Sequence, residues 1–173
     1  MTDTVKLRTR PATPADAAAI AAIYNEGIAD RIATFETELR SAADIAGWFT
    51  GQHLVVVAQT EDGPVAFAAS FPYSSRPCYR GIGEFSVYVR RSHRGRGAGR
   101  AALAALIETA TPRGMHKLTS RVFPENTASR ALLKGLGFEE IGIHRQHGQL
   151  DGRWRECVIV ERLLGSGIDE GRQ

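Results

Sequence analysis

The stretch Arg91-Ser92-His93-Arg94-Gly95-Arg96-Gly97-Ala98-Gly99-Arg100 decides how this chain is read. Before it, residues 82–90 are rich in Val, Tyr and Phe and read as a strand. After it, Leu103, Leu106, Ile107 and Ala110 recur at helical spacing. The stretch is therefore a turn from strand into helix. A helix N-terminus leaves backbone N–H groups unpaired and carries the positive end of the dipole, so such a turn favours an anion. Gly95, Gly97 and Gly99 have no side chains to hold a phosphate off the backbone, and the arginines add charge. A diphosphate is the natural guest. A solvated basic loop would need the same residues but not this placement. A dinucleotide fingerprint also matches, at Gly97, Gly99 and Ala102. It wants its glycines directly after the strand and an acid about 20 positions on. Ser120 and Arg121 stand there instead.

Working outward, residues 54–60 and 64–71 read as strands joined at the Glu61-Asp62-Gly63 turn, and with 82–90 they form an antiparallel meander. Residues 5–10 read as a short first strand. Thr13, Pro14 and Asp16 open a helix whose apolar face is Ala17, Ile20, Ala21, Tyr24 and Ile28. Ser41 with Asp44 opens a second, leading into Ile45, Trp48 and Phe49. Downstream, 115–123 reads as a strand, and Asn126 starts a helix carrying Ala128, Leu132, Leu133 and Leu136 that Gly137 ends. Residues 138–144 and 153–164 close the chain as a hairpin with its turn at Leu150-Asp151-Gly152, before a frayed tail at 165–173. The expected fold is α+β: a central, mostly antiparallel twisted sheet flanked by helices, in one domain over 1–173 with its core at about 5–164.

Arg94-Gly95-Arg96-Gly97-Ala98-Gly99 resembles the Arg/Gln-x-x-Gly-x-Gly/Ala turn of the GNAT superfamily of N-acetyltransferases. The run from Asn126 to Leu136-Gly137-Phe138 resembles the superfamily's second signature helix. Within that superfamily, Ala33-Thr34-Phe35-Glu36-Thr37, Arg76-Pro77-Cys78-Tyr79 and Glu84-Phe85-Ser86-Val87-Tyr88-Val89 look like the phosphinothricin N-acetyltransferase family, which includes methionine sulfoximine and arsinothricin acetyltransferases. The Gly148-Gln149-Leu150-Asp151-Gly152-Arg153-Trp154 run most resembles the arsinothricin branch. The resemblance implies acetyl transfer from acetyl-CoA to the α-amino group of a small, toxic amino-acid analogue, without a metal, in a homodimer.

By that resemblance, the backbone of Val87, Tyr88 and Val89 would run beside pantetheine. Arg94, Gly95, Arg96, Gly97, Ala98, Gly99 and Arg100 would hold the diphosphate, and Asn126 the end of the pantetheine arm. An ammonium cannot attack a thioester, so a base is needed; Glu84 is the candidate, on the same strand face as Ser86 and Tyr88. Partial burial would suit it to that role. An oxyanion donor is expected in the backbone near 85–87, favoured by a bulge there. Arg76 is the candidate anchor for the substrate's acidic group, with Ser75, Ser86, Phe35 and Tyr79 around the same substrate. Phe35 and Tyr79 are equally readable as packing residues. Leu133 stands where relatives carry a Tyr or His that protonates the leaving thiolate, and leucine cannot do so. Water or another group is then the donor; Tyr88 is a remote candidate and is not assigned.

Composition agrees with a folded enzyme: 173 residues, 43% hydrophobic, 24% charged. Net charge is +3, a small surplus whose arginines crowd the glycine turn at Arg90, Arg91, Arg94, Arg96 and Arg100. That placement points to CoA phosphates rather than to nucleic acid. Cys78 and Cys157 are too few for a disulfide framework and read as reduced thiols of a cytoplasmic protein, Cys78 as a lone buried one. No apolar run reaches the roughly 20 residues of a membrane helix. Trp154 reads as core in the last hairpin, and the His144 and His147 pair lacks the partners of a metal site. The remaining alternatives are a GNAT enzyme for a polyamine or a protein N-terminus, and a non-catalytic acyl-CoA sensor.

Overall fold

The computed structural model describes residues 6–165. Val5, expected in the first strand, and the tail 166–173 lie outside them. Seven strands form one sheet in the order β1-β2-β3-β4-β5-β7-β6: β1 (Arg8–Pro11), β2 (Leu54–Thr60), β3 (Gly63–Pro72), β4 (Ile82–Val89), β5 (Lys117–Val122), β6 (Glu139–Leu150) and β7 (Arg153–Leu163). Neighbours are antiparallel except β4 and β5, which run parallel. Helix α1 (Ala17–Asp30) and the short α2 (Ala42–Ala46) cover one face; α3 (Ala98–Ala110) and α4 (Thr127–Gly135) serve the other.

Strand alternation divides the apolar residues between these layers. Ala66, Ala68 and Phe85 join Leu103, Leu106 and Leu118 in the larger core beneath α3. Val57, Phe67 and Ala69 join Ile20, Ile23 and Ile45 beneath α1. Phe67 is fully buried there, stacked on Tyr88 at 5.5 Å and edge-on to Tyr24 at 6.3 Å. Glycine inside α1 is costly to a helix, and Gly27 has a packing reason: a Cβ would lie 2.6 Å from the Tyr88 ring. All four apolar positions expected on α3 are buried. On α4 only Leu133 is; Leu132 and Leu136 pack partly against the core.

Helix α1 is anchored by the expected start signal, with a 3-10 turn at Pro14–Asp16 preceding it. Arg10 donates to both Asp16 carboxylate oxygens at 2.7 and 2.8 Å, and the Thr13 N–H adds a third bond at 2.8 Å. The Arg10 bonds outweigh burial and hold the Asp16 carboxyl below its ordinary pKa. A folded pKa below the unfolded one gives stability that is full at neutral pH and is lost as pH falls through the folded value. Asp16→Asn should therefore cost about 2 kcal/mol at neutral pH. Denaturant melts at falling pH should show the gap to the parent closing; a gap independent of pH would reject the ionic part of this anchor.

One strand differs in extent from the sequence reading, and the strand pairing adds what the sequence did not show. β6 continues past His144 to Leu150, through register breaks at Glu140/Gly142 and His144/Gly148. The β6–β7 turn has positive φ at Asp151 (50°) and Gly152 (74°), the combination a tight hairpin requires. Pairing of β3 with β4 is continuous from Ala66↔Val89 to Pro72↔Gly83, with no register break near 85–87. The opening at the sheet centre comes from strand splay instead. β4 pairs β5 only through Ile82, Gly83 and Glu84, opposite Lys117, Leu118 and Thr119.

Candidate active site

Beyond Glu84, β4 keeps β3 on one side but has no ladder to β5 on the other, while β5 continues against β7. The Phe85–Val89 backbone thus offers an open strand edge inside the molecule. A cleft of about 310 Å³ follows it, lined by Val87, Tyr88 and Val89, by Arg94, Gly95, Gly97, Ala98, Gly99 and Arg100 of the turn but not Arg96, and by Asn126 and Leu132, with Gly27, Asp30, Ile32 and Ala33 closing it from the end of α1.

The glycine turn forms the cleft's charged end. Gly95 (φ 73°) and Gly97 (φ 83°) are left-handed, and a Cβ on either would meet nothing within 4 Å. Their bare backbone faces open space. The first intrahelical bond of α3 comes from Ala101 N–H to Gly97 O at 2.9 Å, which leaves the preceding amides at the N-terminus for a ligand. Gly99 has a different job. Its Cβ would come within 3.0 Å of Leu132 and Val89, so glycine lets α3 sit close to β4 and α4.

The arginines are arranged less freely than expected. Arg94 pairs with Asp30 at 2.6 Å and donates to Val89 O at 3.2 Å; Arg91 pairs with Asp30 at 2.7 Å. Arg100 reaches Gly135 O at 3.1 Å and ties α3 to α4. Two guanidiniums sharing one carboxylate leave positive charge beside the helix dipole. Burial works to raise the Asp30 pKa, but the Arg91 and Arg94 bonds win and keep it low. The sequence reading missed Asp30. An acid at a helix C-terminus, where the dipole repels it, is the signal that could have found it.

Asn126 caps α4: its Oδ1 accepts from Ser129 N–H at 3.2 Å, and its amide donates to Ile32 O at 3.2 Å. One amide N–H remains for a ligand in the cleft.

Glu84 lies at the last paired position of β4 on the α1 face, opposite Thr119. Arg121, two residues along β5, shares that face and forms an ion pair with the Glu84 carboxylate. The Glu84 side chain is 38% exposed, a partly buried position open to solvent on one side. Arg121 also donates to His147 Nε2 at 3.2 Å, and His147 stacks on His144 with ring centroids 4.2 Å apart. The β6 register break turns this histidine toward β5. Burial first, then His144 and Arg121, hold His147 below its ordinary pKa. At neutral pH it is the neutral acceptor that Arg121 requires.

The expected substrate residues are split. Ser75, Arg76 and Tyr79 line a separate open cleft of about 1180 Å³, with Arg80 and Arg113; Arg76 lies over the Tyr79 ring at 5.5 Å. Phe35 is elsewhere, edge-on to Phe123 at 4.9 Å and against Gly148, where a Cβ would fall 2.8 Å from its ring. Phe35 and Tyr79 therefore do not wall one pocket. Other readings also change. Trp154 is 57% exposed rather than core, and Cys78 is exposed, because its loop crosses the surface; only Cys157 is buried. Burial raises the Tyr88 phenol well above its usual pKa, which makes it a poor proton donor. Leu133 points into the main core, so a tyrosine there would overpack it rather than add an acid.

A family model described as "Acetyltransferase (GNAT) family" matches residues 20–138, more than half of the chain and inclusive of the cleft. The chain belongs to the GNAT acetyltransferase family. It is 34% identical over 163 residues to an L-methionine sulfoximine/L-methionine sulfone acetyltransferase of Pseudomonas aeruginosa, covering 90% of this chain and 93% of that one. A phosphinothricin acetyltransferase of Sinorhizobium meliloti, solved with acetyl-CoA, superposes with a TM-score of 0.85 at 31% identity over 93% of this chain and 90% of that one. A ribosomal-protein-alanine N-acetyltransferase of Brucella melitensis superposes with a TM-score of 0.86 at 35% identity, over 91% and 99%. GNAT acetyltransferases use acetyl-CoA, and the open strand edge, bare glycine turn and free amides fit it. No described helix is long and apolar enough to cross a membrane.

Proposed function

We propose that this GNAT domain transfers acetyl from acetyl-CoA to the α-amino group of a small, toxic amino-acid analogue of the phosphinothricin, arsinothricin or methionine sulfoximine type, with Glu84 as the general base. The observation that carries the reading is the position of the Glu84 carboxylate. It stands where β4 leaves β5 and the open edge of the cleft begins. Relatives named for methionine sulfoximine and phosphinothricin support the substrate class.

Acetyl-CoA, when bound, supplies the acetyl group as a thioester. In this reading Val87–Val89 and the second Asn126 N–H hold the pantetheine amides, and the Gly95–Arg100 turn holds the diphosphate. Glu84 accepts the proton of the substrate ammonium, directly or through water, and so creates the attacking amine. A backbone N–H on the open edge of β4 faces the developing oxyanion. With leucine at 133, solvent returns a proton to the leaving thiolate. Arg76, in its arginine-lined cleft, attracts the acidic side-chain group. A polyamine would find cations there, which disfavours it. Exposed Ile141, Ile143 and Trp154 on the outermost hairpin fit a homodimer face, and the thiols fit a cytoplasmic setting. Sedimentation at the mass of one chain would end the dimer part.

The test is free-thiol release from acetyl-CoA with a panel of phosphinothricin, arsinothricin and methionine sulfoximine type analogues, natural amino acids, polyamines and an alanine-starting peptide. Turnover should be highest with one of these analogues. Binding of acetyl-CoA without release for any amine would make the protein a sensor instead. The Brucella relative favours one second reading, a protein N-terminus as acceptor, and the peptide decides it.

A further inference from the structure

We propose that Arg121 is a specificity-determining residue that recognises the α-carboxylate of the substrate, so that Arg121 and Glu84 together read the zwitterion of a free α-amino acid. This rests on Glu84 receiving the amine. A free amino acid presents an ammonium and a carboxylate attached to one carbon. The complementary partner is a carboxylate beside a guanidinium, and β4 and β5 supply that pair at the point where they part. Both members are open to solvent, at 38% and 40% side-chain exposure, so a ligand reaches both. When the ammonium engages Glu84, its carboxylate can take the guanidinium edge that Glu84 gives up, and opposite charges remain adjacent throughout. The exchange also frees Glu84 from its cation at the moment it must accept a proton.

The second hold on Arg121 matters here. His147 Nε2 accepts from the other terminal nitrogen at 3.2 Å, and the His144 ring stacked behind keeps His147 in place. The guanidinium is thus fixed from one side while the Glu84 side exchanges partners. Arg76 does not duplicate this role. It lines the other cleft, which neither Glu84 nor Arg121 lines, and would take a second anionic group. Selectivity follows from charge: an amine without an adjacent carboxylate leaves the Glu84–Arg121 pair intact and competes with it. The proposed substrate class is therefore free α-amino acids and their analogues, not amines in general.

The test compares kcat/KM for one amino-acid analogue with kcat/KM for its α-carboxamide, in the parent, Arg121→Gln and Arg121→Lys, with binding of both compounds followed by calorimetry in the presence of CoA. The parent should prefer the free acid by about tenfold or more. Arg121→Gln should bring the ratio close to one, and Arg121→Lys should keep part of it, as a point charge without the fork. Should the Gln variant fold poorly, the Lys variant and the parent's own ratio carry the comparison. A parent with no preference, or a preference undiminished in the folded variants, overturns the assignment. Glu84→Gln separates the two readings: it should slow both compounds while the calorimetric preference persists. Slowing without that preference leaves Glu84 as base and removes Arg121 from recognition.

Discussion

Glu84→Gln should bind acetyl-CoA as the parent does and turn over about a hundredfold more slowly at neutral pH. The glutamine keeps the size and the hydrogen-bonding reach of the side chain, so the fold and the distant cleft lining are spared. It removes the one property the role needs, a site that accepts the ammonium proton. The loss should therefore depend on pH. As pH rises toward the amine's own pKa, solvent supplies free amine, and the variant should recover toward the parent. The half-exposed position of Glu84 makes water a ready relay. Stopped-flow thiol release across pH, with acetyl-CoA affinity measured separately, checks both parts. Unchanged turnover at neutral pH would remove Glu84 from the role. A constant deficit at every pH would show that the side chain positions the Arg121 guanidinium and does not move a proton.

Gly97→Val should raise the acetyl-CoA KM at least about tenfold, the second large effect expected. At φ 83° and ψ −1° Gly97 is left-handed. A residue with a Cβ pays about 1–2 kcal/mol there, and a β-branched one more. Nothing lies within 4 Å of where a Cβ would stand, so the first added carbon meets no protein atom. The valine would stand in the diphosphate seat and cover the amides of α3. Gly63, also left-handed (φ 114°) and also open, sits in the β2–β3 turn away from the cleft. Gly63→Val should lower the melting temperature comparably while sparing the acetyl-CoA KM. If Gly97→Val loses stability but keeps its KM, the glycine serves the turn alone.

The glycine turn, the α3 face and the Asp16 anchor were legible in the sequence because each is local. Positive φ, helical period and capping are written within a few consecutive residues. The Asn126 cap was legible for the same reason. What was not legible is what non-local pairing creates. The splay of β4 from β5 depends on a parallel register between strands that are 28 residues or more apart in the chain. Nothing near Glu84 announces that Arg121 will stand beside it, nor that a register break in β6 turns His147 to the same place. Arg76 and Phe35 were grouped by resemblance alone, and the loops that carry them pack at different places on the sheet. Trp154 failed because alternation on an outermost hairpin does not say which face another element covers.

A competition in one vessel addresses the central proposal most directly. Limiting acetyl-CoA is offered to equal amounts of an α-amino-acid analogue of the phosphinothricin or methionine sulfoximine type, a polyamine and an alanine-starting peptide, and the acetylated products are separated by mass. Acetyl should accumulate on the α-nitrogen of the amino-acid analogue. Acetyl appearing first on the peptide or the polyamine would contradict it.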